Sequence, residues 1–137
     1  MVLVDTSVWI ELFRRPAKIQ LGDVVDFDDI VTCLPVIQEV LQGFDSEPAF
    51  LRARESMRAF PIVESPLGED TFLQAADLYR SGRRIGLTIR SSVDCLIAAC
   101  AIRHQLEVLH RDRDFDQLAK ISPLRARNIA PGKRSSA

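Results

Sequence analysis

An α/β fold with a mainly parallel sheet is predicted by three features of this sequence. Short apolar runs without polar alternation, such as Val2-Leu3-Val4, mark strands buried on both faces, the pattern of a parallel sheet. Stretches with apolar residues at helical spacing separate those runs, and strands alternating with helices define the α/β class. At 137 residues the chain fits one ordinary domain, expected over residues 1–130, with a short tail, Pro131–Ala137, whose composition predicts disorder.

Val2–Val4 is the first strand, and it stops at Asp5. Val8, Trp9, Leu12 and Phe13 then recur at helical spacing, with Thr6 or Ser7 available as N-cap. Ile30–Cys33 is the second strand, and Pro35 suits the first turn of the helix that follows. Val36, Ile37, Val40 and Leu41 form the apolar stripe of that helix, which Gly43 ends. Residues 48–60 and 69–82 read as two further helices, separated by a short strand, Pro61–Val63. Ser91 opens the most apolar helix, in which Val93, Leu96, Ile97, Cys100 and Ala101 share a face. Glu107–His110 is the next strand and ends at Arg111-Asp112; Asp114 is placed to cap a short helix through Ala119 and Lys120.

Hydrophobic residues make up 47% and charged residues 27% of the chain, the balance of a soluble globular fold. A domain of this size buries roughly two-thirds of the surface of its unfolded chain, so neither disulfides nor a structural metal are needed. The three cysteines, Cys33, Cys95 and Cys100, are an odd number without zinc-knuckle spacing. Buried free thiols and a reducing compartment follow. No apolar stretch approaches the ~20 residues of a membrane helix, and the early acid at Asp5 does not suit a signal peptide. A cytoplasmic location is expected. The net charge of −1 argues against a purely electrostatic nucleic-acid binder. Its distribution is uneven: residues 1–70 carry −7 and residues 71–137 carry +6, compatible with an acidic centre facing a basic rim.

Four acids are the candidate chemistry. Ligands of open parallel sheets bind beyond the carboxyl ends of the strands, and Asp5 and Asp112 each stand just after a strand. Asp94 lies in the first turn of its helix, and Glu39 is the only acid on a helix of core residues. Each also has a plainer reading. Asp5 suits a helix cap, Glu39 a solvated face beside Gln38 and Gln42, Asp94 a capping pair with Ser91, and Asp112 with Asp114 an acidic turn. Their conjunction carries more weight. Two like charges about 4 Å apart repel by roughly 4 kcal/mol at an effective dielectric near 20, a large share of the ~5–15 kcal/mol stability of a small domain. Converged acids without an Arg or Lys partner must therefore recruit protons or cations. Carboxylate oxygens without Cys or His select a hard ion, Mg²⁺ with Mn²⁺ as substitute. His110 has no second His at ligand spacing and reads as a strand-end residue. Mg²⁺ held by Asp5, Asp94 and Asp112 suits phosphodiester hydrolysis, with Glu39 orienting or deprotonating the attacking water.

The stretches Val-Leu-Val-Asp5-Thr-Ser-Val-Trp-Ile, Pro-Val-Ile-Gln-Glu39-Val, Asp94-Cys-Leu-Ile-Ala-Ala-Cys-Ala and Leu-His-Arg-Asp112-Arg-Asp-Phe-Asp resemble the PIN-domain ribonucleases. Within them the chain looks most like the VapC toxins of bacterial toxin–antitoxin pairs. The four motifs run in the family's order from residue 2 to about residue 120. The resemblance implies a three-layer α/β/α sandwich and a Mg²⁺-dependent endoribonuclease acting as a homodimer and inhibited by a cognate VapB-like antitoxin. Asp5, Glu39, Asp94 and Asp112 match the family's acidic quartet, Asp114 the second acid of its closing motif, and Thr6 or Ser7 a hydroxyl that positions the first acid or the substrate. Arg111 departs from the pattern, in which a small polar residue commonly precedes the acid; a cation there is placed either to bind RNA or to neutralise the site.

Arg83, Arg84, Arg90, Arg111 and Arg113 are candidates for RNA phosphate contacts, since guanidinium matches phosphate oxygens bidentately. With one Trp and one Tyr there is no aromatic ladder for stacking bases, and Trp9 reads as core or dimer contact. Two other classes remain open. Another Mg²⁺-dependent phosphoryl-transfer enzyme would want a second acid close after Asp5, where Ser7 stands. A non-catalytic partner-binding module would keep the acidic frame only as structure.

Overall fold

Val2–Val4 forms strand β1, and its three side chains are buried on both faces of the sheet, as its unbroken apolar run requires. The computed structural model describes residues 1–14, 16–17 and 19–129; the expected tail, residues 131–137, lies outside them. Three further strands, β2 (Ile30–Val31), β3 (Glu107–His110) and β4 (Arg125–Asn128), pair in parallel in the order β2-β1-β3-β4. Leu3, Val4, Val108 and Leu109 are all fully buried. Successive strand residues point to opposite faces, so helices must cover the sheet on both sides.

Those helices are α1 (Thr6–Phe13), α2 (Leu34–Leu41), α3 (Glu47–Met57), α4 (Glu69–Arg84), α5 (Ser92–Arg103) and α6 (Arg113–Ala119). Helix α5 threads the core: Ile97, Ala98, Ala99, Cys100 and Ala101 are fully buried. Trp9 is core, as one of its two sequence readings has it, and its indole N–H donates to the Val4 carbonyl at 3.1 Å. All three cysteines are buried free thiols. No helix among the described residues is long and apolar enough to cross a membrane.

The order of strands sets the position of the site. The chain leaves β1 for β2 on one side, while β3 lies on the other. The ends of β1 and β3 therefore open at a topological switch point, where ligands of such sheets bind. The backbone N–H of Asp5 donates to the Leu109 carbonyl at 2.9 Å, fixing the two strand ends side by side.

Several elements differ from expectation. Asp5 itself caps α1, its carboxylate accepting from the Ser7 N–H, in place of Thr6 or Ser7. Asp112, not Asp114, caps α6 by accepting from the Asp114 N–H. Both strand-end acids thus serve as caps and stand at the pocket. β2 is two residues long, and residues 61–63 contribute only one parallel bridge, Thr32 to Ile62. Edge strand β4, with alternately exposed Arg125 and Arg127, lacks the apolar run that marks the other strands.

Candidate metal centre at the sheet's carboxyl edge

A cavity of about 220 Å³ opens at the switch point, lined by Asp5, Thr6, Ser7, Ile10, Glu39, Ser91, Asp94 and Asp112. Asp5 arrives on the end of β1, Glu39 on α2, Asp94 in the first turn of α5 and Asp112 just after β3. Residues separated by more than a hundred positions thus share one pocket. One oxygen from each of Asp5, Glu39 and Asp94 lies within 4.8 Å of the others, and the same holds for Asp94, Asp112 and Asp114. Asp94 belongs to both groups.

The hydroxyls flanking Asp5 divide the work. Thr6 Oγ1 donates to Glu39 Oε1 at 2.7 Å, tying α1 to α2 and aiming the glutamate. Ser7 donates to Asp5 Oδ2 through both its Oγ, at 2.6 Å, and its N–H, at 3.0 Å. The same Ser7 Oγ accepts from the Arg111 N–H at 3.0 Å, which locks the loop after β3 against the first acid.

Asp112 is held as firmly. Its N–H donates to His110 Nδ1 at 3.2 Å, while its Oδ1 accepts from the Asp114 N–H at 3.0 Å. His110 is fully buried, and burial lowers its pKa. The neutral ring acts as an acceptor behind Asp112, at the end of β3. Asp114 is also fully buried, and its Oδ2 accepts from the N–H groups of Arg90 and Ser91 at 3.0 and 3.2 Å. It anchors the turn into α5.

Electrostatics mark the same pocket. Asp5 is 2% exposed and Asp94 5%. Burial raises Asp5 to about 6, against the hydrogen bonds from Ser7, and the charge of Glu39 adds to the rise. Burial raises Asp94 further, joined by the charges of Asp5 and Asp112. Among the described residues, Asp5 Oδ1 and Asp94 Oδ2 are buried without a hydrogen-bond partner. Buried polar atoms are rarely left unsatisfied. Two orphaned oxygens among clustered carboxylates fit an oxygen-liganded hard cation, which keeps the acids ionised and satisfies their lone pairs.

The arginines separate. Arg90, read as a phosphate contact, lies on the acids themselves: its Nη2 is 2.8 Å from Asp112 Oδ1 and its Nε 3.5 Å from Asp114 Oδ1. The premise that no cation partners the acids therefore fails for Asp112. Arg111 points elsewhere, its Nη1 2.8 Å from Oε2 of the buried Glu11, so its side chain is engaged by an acid outside the quartet. Glu11 also lies 3.7 Å from Arg14 Nη1, but its closer pairing with Arg111, a hundred residues away, leaves no local sequence signal. Arg83 and Arg84 line a shallow surface hollow with Arg80, Arg83 stacking over Tyr79 at 5.7 Å, and Arg113 is exposed at the start of α6. None of these three lines the acidic pocket.

An all-parallel α/β sheet with converged, under-partnered carboxylates at its carboxyl edge defines a domain with a candidate divalent-cation site. Residues 2–121 match the PIN domain family, and the chain belongs to that family. It is 38% identical over 131 residues to Ribonuclease VapC11 of Mycobacterium tuberculosis, which covers 92% of this chain and 97% of that protein. Among solved structures it resembles VapBC2 from Rickettsia felis bound to a DNA fragment from its promoter, with a TM-score of 0.76 at 14% identity over 95% of this chain and 100% of that one. The toxin–antitoxin structure VapBC-5 from M. tuberculosis superposes with a TM-score of 0.69 at 22% identity, over 93% and 98% of the two chains. At these identities the structural likeness establishes the fold.

Proposed function

We propose that this chain is a metal-dependent endoribonuclease, the toxin of a VapBC-type toxin–antitoxin pair, using Mg²⁺ or Mn²⁺ over a nuclease domain of residues 1–130. The observation that carries the reading is the clustering of Asp5, Glu39 and Asp94 oxygens within 4.8 Å, with Asp5 Oδ1 and Asp94 Oδ2 lacking a hydrogen-bond partner among the described residues. The name of Ribonuclease VapC11, 38% identical to this chain, supplies RNA as the substrate class. The neighbouring toxin–antitoxin complexes supply an antitoxin as partner. A cytoplasmic homodimer belongs to the same proposal, with exposed Phe72 and Leu73 on α4 as apolar surface for self-association.

In this reading Asp5, Asp94 and Asp112 would hold the cation, Asp94 being the acid common to the two oxygen clusters. When bound, Mg²⁺ polarises the phosphoryl group, lowers the pKa of a coordinated water and steadies the leaving oxygen. Glu39, aimed by Thr6, orients the attacking water and accepts its proton as the oxygen–phosphorus bond forms and the opposite ester bond breaks. Ser7 keeps Asp5 in its ligating rotamer, and Asp114 keeps the turn carrying Arg90 and Ser91 in place. Arg83, Arg84 and Arg113 are proposed to contact RNA phosphates outside the pocket.

Purified chain free of antitoxin is expected to cleave RNA with Mg²⁺ or Mn²⁺, and excess EDTA is expected to stop it, read as product bands on a denaturing gel. Cleavage that continues undiminished in EDTA would remove the metal from the proposal. No cleavage with any divalent ion, across a panel of transfer, ribosomal and messenger RNA, would favour a partner-binding module.

A further inference from the structure

We propose that Arg90 is an exchangeable internal counter-ion that neutralises Asp112 in the metal-free site and is displaced from it by the incoming divalent cation. The inference rests on the metal-dependent reading above and concerns how that same site regulates its occupancy.

Two contacts of different kinds hold Arg90. Its backbone N–H is fixed on Asp114 Oδ2 at 3.0 Å, next to the Ser91 N–H at 3.2 Å, and Asp114 is fully buried. The turn into α5 is thus set without help from the side chain. The guanidinium folds back over the acids, with Nη2 on Asp112 Oδ1 at 2.8 Å and Nε 3.5 Å from Asp114 Oδ1. That side chain is 54% exposed, so nothing encloses it and water is ready to receive it.

The carboxylate it occupies is also in a candidate ligand group, since oxygens of Asp94, Asp112 and Asp114 lie within 4.8 Å of one another. A divalent ion and a guanidinium on one carboxylate repel each other. Of the two, the half-exposed side chain is free to leave, because its anchor is main-chain. Asp5 and Glu39, at the other end of the pocket, have no such tethered cation among the described residues: their side-chain partners there are the hydroxyls of Ser7 and Thr6. The site is therefore half neutralised from within, and metal binding is an exchange of cations at Asp112 and an addition at Asp5.

The test is a calorimetric Mg²⁺ titration of the full chain, without RNA, comparing wild type with Arg90→Ala, Arg90→Lys and Arg113→Ala. All three variants keep their backbone donors, and circular dichroism checks the fold. Arg113→Ala removes an equal charge beside Asp112 that makes no ion pair with it, and so measures the long-range effect alone. Arg90→Ala is expected to bind Mg²⁺ roughly two- to fivefold more tightly than wild type, the scale of a solvent-exposed ion pair, and more tightly than Arg113→Ala. Arg90→Lys, which keeps the charge and loses the fork, is expected between wild type and Arg90→Ala. A wild type that binds Mg²⁺ with Arg90→Ala equal or weaker, or no tighter than Arg113→Ala, overturns the exchange and leaves the nuclease reading standing. Absence of Mg²⁺ binding in wild type and all variants overturns both.

Discussion

Asp94→Asn is expected to lose RNA cleavage by about a hundred- to thousandfold or more while becoming more stable without metal. The two effects share one cause. Asp94 is buried, its Oδ2 lacks a hydrogen-bond partner among the described residues, and its carboxyl is driven up by burial and by the charges of Asp5 and Asp112. Such a group opposes folding whenever it is forced to ionise. Asparagine removes the charge, keeps the shape and offers an N–H₂ to the neighbouring carboxylates. Metal-free stability should rise by about 1–3 kcal/mol, the usual range for relieving an unsatisfied buried polar group. The same substitution removes the carboxylate shared by both acidic groups, and several kcal/mol of lost charge stabilisation in the transition state give the activity loss. Thermal melts and single-turnover cleavage on one preparation check both halves. A variant that is destabilised without metal, or that cuts RNA like wild type, would contradict the role given to Asp94.

The second large effect is a pH-dependent response to Mg²⁺. Asp5 has a folded-state pKa of about 6, raised from 3.8, so the folded chain holds this proton more tightly than the unfolded one. Its contribution is complete below about pH 4 and is lost as pH rises through 6. The shift corresponds to about 3 kcal/mol. Asp94, raised further, continues the loss above that range. His110 runs the other way: burial lowers its pKa, so its contribution is lost as pH falls below its unfolded value near 6.5. Comparing melts with and without Mg²⁺ at the same pH largely cancels the His110 contribution. At pH 8 saturating Mg²⁺ is expected to raise Tm by about 10 °C, from roughly 3 kcal/mol of linkage at a hundredfold excess over Kd. At pH 5, where Asp5 is mostly protonated, most of that rise should vanish. A rise as large at pH 5 as at pH 8 would dissociate the binding site from Asp5 and Asp94.

How much of this was legible in the sequence depended on whether a signal was local. The unbroken apolar run of Val2–Val4 and the stripe of Val36, Val40 and their neighbours declare a buried strand and a helix face, and the acids after the strands follow from the topology. Strand β4 was not legible: Arg125 and Arg127 are exposed on the edge, and only pairing with β3 makes the segment a strand. Residues 61–63 have the short apolar stretch that suits a strand, yet a single bridge to Thr32, just beyond β2, is all the pairing they make among the described residues. Within the site, the four acids could be named and their convergence expected. The partners that orient them could not be. Arg90 meets Asp112 across twenty-two positions, and Arg111 meets Glu11 only because the ends of β1 and β3 are neighbours. His110 stands two residues before the acid it positions, but its acceptor role depends on burial that the alternation of a four-residue strand does not reveal.

If distant acids converge on one divalent cation, that ion can be located among them. Crystals grown with Mn²⁺ and measured for its anomalous scattering should show a peak about 2.1 Å, the distance typical of such ions, from carboxylate oxygens of Asp5 and Asp94, with Asp112 beside it. A fully occupied peak elsewhere, or no peak among these residues at saturating Mn²⁺, would contradict that convergence.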